Sequence, residues 1–385
     1  MKNSENPHGR LQEKLEKRRL LHRYRILNEV ESAESSRFVK IDGKEYLNFS
    51  SNDYLNLSNH PVLKKKSRDY ILKYGTSSSS SRLITGTLKI HRDIEEKLAS
   101  LYQKEASLLF STGFQANSTI LPAITKKQDV IIADQLCHNS ILIGCKTSIA
   151  DFYRYRHNDM EHLETFLKRK SRNDSSDVWI VTESLFSMDG DRAPLDEIIR
   201  LAKKYNAKLY VDDAHAFGVY GIKGLGLGSE HPEIDLLIST FGKAGGAFGA
   251  FVTSSKIVID SLINYCSGFI YSTAPPPSVI GAIDAVLELI PKMTAEREYL
   301  YGLSDFFYKE MKKNKLQTGK EPSHILPVIF SEEARVLKKS QLLKDKGMIL
   351  TAIRPPTVPE NESRFRISLT AAHQKEDCKK LLDLL

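Results

Sequence analysis

Cysteine is scarce in this chain: four in 385 residues, at positions 137, 145, 266 and 378, with no C-x-x-C pair among them. A disulfide-dense scaffold is excluded. A chain this long needs no staples, so reduced thiols in a cytoplasmic protein are expected. Long apolar runs are missing too. No stretch approaches the roughly 20 residues of a spanning helix. The most apolar one, Val279–Ile290, carries Asp284 and Glu288 and reads as a buried helix. The N-terminus is charged and has no apolar segment, which is not the pattern of a secretory signal. There is no internal repeat and no Gly-x-Ser-x-Gly elbow. The one low-complexity tract, Ser77–Ser81, reads alone as a flexible linker,. Its helix-like flanks read equally as a loop inside a domain.

What is present is ordinary for a soluble globular protein: 41% hydrophobic and 27% charged residues,. Disordered, collagen-like and coiled-coil chains are thereby excluded. The length is roughly two to three times that of a typical domain, so more than one core is expected.

Positive charge is uneven. Of the net +8, a surplus of five lies in residues 1–25, where Lys2, Arg10, Lys14, Lys17, Arg18, Arg19, Arg23 and Arg25 face Glu5, Glu13 and Glu16. Such a segment suits nucleic acid, a membrane surface, or a basic helix that packs on the body and meets an anionic substrate. No basic–aromatic interleaving supports the nucleic-acid reading, and the expectation is neither nucleic acid nor membrane.

From about residue 105 short β-rich runs alternate with helical patterns. Ser107–Phe110, Val130–Ala133, Trp179–Thr182, Lys208–Val211 and Leu236–Ser239 have strand length. Pro194–Asn206 is the clearest helix between them, with Leu195, Ile198, Ile199 and Ala202 on one face and Lys203 and Lys204 in its last turn,. Alternation of this kind predicts an α/β fold, a mostly parallel sheet flanked by helices, with ligands at the carboxyl ends of its strands. Three divisions are expected: an N-terminal segment over 1–52 with a basic helix and a hairpin around Asp42-Gly43, a large domain over 53–290, and a smaller C-terminal α+β domain over 291–385.

The expected strand ends carry unusual polar residues. One ends at Glu183, followed by Ser187; another in Asp212, Asp213 and His215; a third in Thr240, Gly242 and Lys243; a fourth, Ile131–Asp134, runs into His138. A lysine directly after a buried strand is partly desolvated, which lowers its pKa and makes the amine nucleophilic. An acid such as Asp212 at a neighbouring strand end can keep a pyridine nitrogen protonated. That pairing is what pyridoxal phosphate (PLP) chemistry requires. Blander readings exist: Asp212 and His215 can cap a turn, and glycines 221, 224, 226 and 228 read as a loop. Gly242-Lys243 lacks the rest of a phosphate loop. His157 and His162, with Asp159 and Glu161, look like metal ligands. Five-residue spacing, however, sets the two imidazoles about 140° apart on a helix. No metal site is expected.

Several of these runs resemble the α-oxoamine synthase family of PLP enzymes: Thr182-Glu-Ser-Leu-Phe-Ser187-Met-Asp-Gly-Asp191, Val211-Asp-Asp-Ala-His215-Ala-Phe-Gly218 and Thr240-Phe-Gly-Lys243-Ala. So do Leu47-Asn-Phe-Ser-Ser-Asn-Asp-Tyr-Leu55 and Ser111-Thr-Gly-Phe-Gln-Ala-Asn117. The resemblance runs from about residue 38 to the C-terminus. Thr351-Ala-Ile-Arg-Pro-Pro-Thr-Val-Pro359, Arg364-Phe-Arg366 and Ser368-Leu-Thr-Ala-Ala-His373 are similar to the biotin-pathway branch, which joins L-alanine to a pimeloyl thioester of CoA or acyl carrier protein. The rival readings are a member using glycine or serine and a silent scaffold subunit; the presence of Lys243, Asp212, His138 and His215 speaks against the scaffold.

The resemblance implies a fold type I PLP enzyme acting as a homodimer with shared sites. Lys243 would hold the cofactor and remove the Cα proton. Asp212 would pair with the ring nitrogen, His138 would stack on the ring, and Ser187 and His215 would bond the ring hydroxyl. Thr240 and the N–H groups of Gly113 and Phe114 would take the phosphate, and Thr273 would reach the partner's phosphate. Arg366 would clamp the amino-acid carboxylate, while Asn52, Thr357 and Arg23 would face the substrates. One departure stands out: the family usually has a glycine-rich stretch before Ser81-Arg82, where this chain has serines. Serine restricts the backbone more than glycine, which bears on the loop at the substrate entrance and not on the cofactor residues.

Overall fold

A computed structural model describes residues 8–170 and 176–385. Residues 1–7, with Lys2 and Glu5 of the basic segment, lie outside the described residues. The chain divides into two compact units: Asn52–Ser187 with Asp191–Leu300, and Met1–Ser51 with Met188–Gly190 and Tyr301–Leu385.

The larger unit is built on seven strands: β1 (Ala106–Phe110), β2 (Val130–Asp134), β3 (Asp151–Tyr155), β4 (Val178–Glu183), β5 (Lys208–Asp212), β6 (Leu236–Thr240) and β7 (Ala250–Ser254). Their order is β1-β7-β6-β5-β4-β2-β3. The run from β6 to β3 is parallel, and β7 is antiparallel to both β6 and β1. β2 and β4 are buried along their whole length, as strands covered on both faces must be. The expected mostly parallel α/β sheet is therefore present, and all five expected strands lie within it. β3 had no sequence signal because Asp151 and Arg154 are exposed on an edge. β7 was hidden behind a glycine-rich stretch.

Helix Leu195–Lys204 buries Leu195, Ile198, Ile199 and Ala202, with its acids first and its lysines last. Helix Pro277–Leu289 is buried as expected, and its Asp284 takes Lys66 at 2.7 Å and Lys97 at 2.9 Å. The serine run is not a free linker. Ser78 Oγ donates to Pro275 O at 2.9 Å, Ser80 O accepts from Ala274 N at 3.0 Å, and Ser81 bridges Thr273. Directly after it, Arg82 forms a two-pronged, buried pair with Glu95, both contacts at 2.9 Å. In the glycine loop Gly226 has φ +94°, and a Cβ there would sit 1.9 Å from Asp213 Oδ2, so only glycine fits,.

In the smaller unit, strands Phe38–Ile41 and Lys44–Asn48 pair antiparallel around Asp42-Gly43. Both turn residues have positive φ, 50° and 73°, the twist that suits a two-residue hairpin. Met348–Ile349 adds to Lys44–Asn48 in parallel, so one sheet joins both ends of the chain. A second sheet has the order Ile325–Ser331, Ser363–Ser368, Ala352–Ile353. The basic helix Gly9–Leu20 has no buried residue, where a helix packed on the body was expected. Its apolar positions, Leu11, Leu15 and Leu20, are too few to cover a core face,.

Candidate active site

The carboxyl ends of β2, β4, β5 and β6 bring together most of the residues singled out above. Asp212, the last residue of β5, is buried. Its Oδ2 accepts from Asn117 Nδ2 at 2.7 Å and its Oδ1 from Ala214 N at 2.9 Å. Asn117 is itself fixed, because Tyr210 donates its hydroxyl to Asn117 Oδ1 at 2.6 Å. Asn117 carried no role from the sequence. The available signal was its place one helical turn after Gly113, on the same face.

His138 caps helix Asn139–Thr147. Its backbone N–H donates to Glu183 Oε1 at 2.5 Å, and its Nδ1 lies 2.6 Å from Ser140 Oγ. Part of the ring is open to solvent, but its surroundings desolvate it and hold it below the ordinary imidazole value. Asp212 opposes that shift and the Lys243 ammonium reinforces it. Glu183 ends β4 beside Asp212. Burial, then the Asp212 charge, raises its carboxyl, against the pull of Lys243. Lys243, His138, Glu183 and Asp212 therefore share one electrostatic site. Lys243 is half-buried, in the loop between β6 and β7 that is closed by Phe241 N to Gly249 O and Gly246 N to Lys243 O, both 2.9 Å.

His215 follows Asp212 by three residues and is buried. Tyr54 donates its one proton to Asn52 Oδ1 at 3.0 Å, so its oxygen accepts from His215 Nδ1 at 2.8 Å,. Tyr54 also carried no role from the sequence. Ser187 is buried in the turn after β4.

Helix Gly113–Ile124 begins at Thr112, whose Oγ1 accepts from Gln115 N at 3.0 Å. A Cβ on Gly113 would lie 3.8 Å from the Thr240 Cβ, so the helix start rests against the end of β6. The first-turn N–H groups of Gly113 and Phe114 have no acceptor within the helix.

A buried acid at a strand end, a half-buried lysine, an imidazole partly open to solvent, and a helix N-terminus against Thr240 form the donor set that PLP requires,. The residues fit that cofactor. Thr273 is exposed beside Ser81. Arg23, Thr357 and Arg366 belong to the smaller unit. Arg23 is engaged by its own chain, donating to Glu333 at 2.6 Å and Glu360 at 3.0 Å. Thr357 accepts from Arg25 at 3.0 Å, and buried Arg366 donates to Ser368 at 2.8 Å. His157 is not on a helix with His162. It bonds Asp134 and Asp191, and among the described residues no group of three or more potential ligands is placed to hold a metal.

The chain belongs to the class I and II aminotransferase family, whose pattern it matches over residues 44–385. Within that class it belongs with the α-oxoamine synthases of the 8-amino-7-oxononanoate synthase type. It is 43% identical to the 8-amino-7-oxononanoate synthase of Gluconacetobacter diazotrophicus over 94% of this chain and 93% of that protein. A Francisella tularensis structure of the same name has TM-score 0.76 at 26% identity, covering 88% of this chain and 96% of its own. A serine palmitoyltransferase from S. paucimobilis, carrying PLP and myriocin, has TM-score 0.90 at 27% identity, with 98% and 96% covered.

Proposed function

We infer that the chain condenses L-alanine with a pimeloyl thioester, of CoA or acyl carrier protein, to give 8-amino-7-oxononanoate, carbon dioxide and the free thiol. The observation that carries the reading is that Lys243, Asp212 and His138 lie at the carboxyl ends of β6, β5 and β2 of one sheet, in a member of this family. PLP, when bound, supplies an aldehyde that links to amines and a pyridine ring that withdraws electrons from the amino-acid Cα.

Asp212, oriented by Asn117 and Ala214, holds a proton at the ring nitrogen. His138 covers the ring face and keeps water from it. Ser187 and His215 orient the ring hydroxyl. The first-turn N–H groups of Gly113 and Phe114, with Thr240, bind the phosphate. Lys243 takes the Cα proton and returns one after carbon dioxide has left. Arg366, Asn52, Thr357 and Arg23 are assigned to the substrates on the family resemblance alone.

A homodimer with shared sites belongs to the same reading, with Thr273 directed at the partner's phosphate. The exposed apolar side chains of Leu83, Ile84 and Tyr271, flanking the Ser81–Thr273 bridge, support it,. A cytoplasmic setting is supported by four free, buried cysteines; burial pushes the thiols of Cys145 and Cys378 up to about 12. No helix among the described residues is long and apolar enough to cross a membrane.

The test supplies PLP and pimeloyl-CoA with L-alanine, glycine or serine, and measures thiol release and product mass. Alanine should exceed glycine by about tenfold or more, the discrimination one methyl group affords, and serine by up to about a hundredfold, the limit for an added hydroxyl. Preference for glycine or serine would overturn the alanine assignment while leaving the family intact.

A further inference from the structure

The mechanism above makes no use of His157, yet each of its ring nitrogens meets a carboxylate. Its Nδ1 lies 3.0 Å from Asp134 Oδ1 and its Nε2 lies 2.8 Å from Asp191 Oδ2. Carboxylate oxygens only accept, so both ring nitrogens carry protons and the ring is an imidazolium between two anions. Its burial-driven tendency to lose a proton is outweighed by those two bonds, which raise its pKa to about 10. The Phe186 ring packs edge-on against it, with centroids 4.4 Å apart.

The two carboxylates stand at the roots of different loops. Asp134 is fully buried at the end of β2. Its Oδ1 also accepts from Leu136 N at 2.8 Å, and its main-chain oxygen accepts from Cys137 N at 3.2 Å, setting the turn that delivers His138. Asp191 closes the turn that contains Ser187. Its main-chain oxygen accepts from Phe186 N at 2.9 Å, and Leu185 bridges Arg192 just outside. The next residue after the imidazole reinforces both ends: Asn158 N donates to Asp134 Oδ2 at 2.9 Å, and Asn158 Nδ2 to Asp191 Oδ2 at 3.2 Å.

We propose that His157 is a positioning residue, a cationic clamp that ties the loop presenting His138 to the loop presenting Ser187 and so fixes the spacing of the two groups that meet the cofactor ring. The proposal rests on the functional reading only in calling His138 and Ser187 cofactor contacts.

The experiment is hydrogen exchange on the full-length protein, with and without PLP, for the wild type, His157→Ala and Asp191→Asn. Charge-assisted bonds of this kind hold local openings back by about tenfold or more. His157→Ala should therefore speed exchange by about that factor in both Asp134–Ser140 and Leu185–Arg192, leaving β1 and β7 at wild-type rates, and should speed PLP dissociation. Asp191→Asn keeps shape and volume, and should loosen Leu185–Arg192 while sparing Asp134–Ser140. Wild-type exchange in both loops of His157→Ala overturns the clamp. If that variant loosens the whole sheet, Asp191→Asn decides: selective loosening sustains the clamp, and unchanged or sheet-wide exchange removes it. Failure of the wild type to join alanine to a pimeloyl thioester would remove the functional reading and leave the exchange result standing.

Discussion

Glu183 and Asp212 are register partners at the ends of adjacent parallel strands, both buried, with their carboxyl groups on one electrostatic site. Two buried acids this close do not both ionise cheaply. Asn117 and Ala214 direct their donors at Asp212, whereas Glu183 receives the His138 N–H and is raised by burial. The geometry therefore separates the pair: Asp212 takes two directed donors, and Glu183 is the one that burial favours in its protonated form.

That division predicts a pH dependence. A carboxyl whose folded pKa is raised contributes stability that is fully present below its unfolded value, near 4.5, and is lost as pH rises through the folded value,. Glu183→Gln removes this loss while keeping an acceptor for His138. Denaturant melts of the cofactor-free protein should coincide for variant and wild type near pH 5. By pH 8.5 the variant should be the more stable, by about 1 kcal/mol or more on the scale of 1.4 kcal/mol per pKa unit. A constant difference across that range would show Glu183 to be ionised at both ends.

Asn117 bonds both Asp212 and Ser140, the partner of His138. Asn117→Ala leaves the buried Tyr210 hydroxyl without its acceptor and Asp212 without its side-chain donor. Stability should fall by about 1–3 kcal/mol. Cofactor retention on dialysis should fall as well, which a purely structural loss elsewhere in the core would not produce. Retention equal to wild type would show that Asp212 needs no such support.

How much of this was legible beforehand depends on where each signal sits. β2, β4, β5 and β6 announce themselves as apolar runs, and Asp212, His215, Thr240 and Lys243 end or closely follow them, so their convergence can be read from one dimension. Asn117 and Tyr54 could not be found that way, because their importance lies in contacts 95 and 161 residues distant. His157 invited a metal reading from its neighbours in sequence, while its actual partners come from two other loops. The serine run misled for the opposite reason. Composition describes an isolated segment, and here Pro275 and Ala274 supply the bonds that fix it.

Lys243 lies in a loop closed by backbone bonds, Phe241 N to Gly249 O and Gly246 N to Lys243 O. Lys243→Ala should fold as the wild type does and still bind PLP through the phosphate and Asp212, but without the visible band of a lysine-linked cofactor and without turnover. A variant that keeps turnover would remove Lys243 from the proton transfers assigned to it.

His373 sets a second pH limit, in the smaller unit. It is stacked on Phe49 with centroids 4.7 Å apart; its Nδ1 accepts from Thr370 N at 3.0 Å and its Nε2 donates to Asn48 O at 3.0 Å. Protonating Nδ1 would turn that acceptor toward a donor, and burial, the largest cause, lowers the imidazole to about 4. The unfolded chain takes its proton near 6.5, so between pH 6.5 and 4 only the unfolded state is charged and stability falls as pH falls. At about 1.4 kcal/mol per pKa unit the full loss is on the order of 3 kcal/mol. His373→Gln can donate and accept without titrating, so its urea midpoint should change less than that of the wild type between pH 7 and pH 4.5. Equal acid sensitivity in the two proteins would place the titrating group elsewhere.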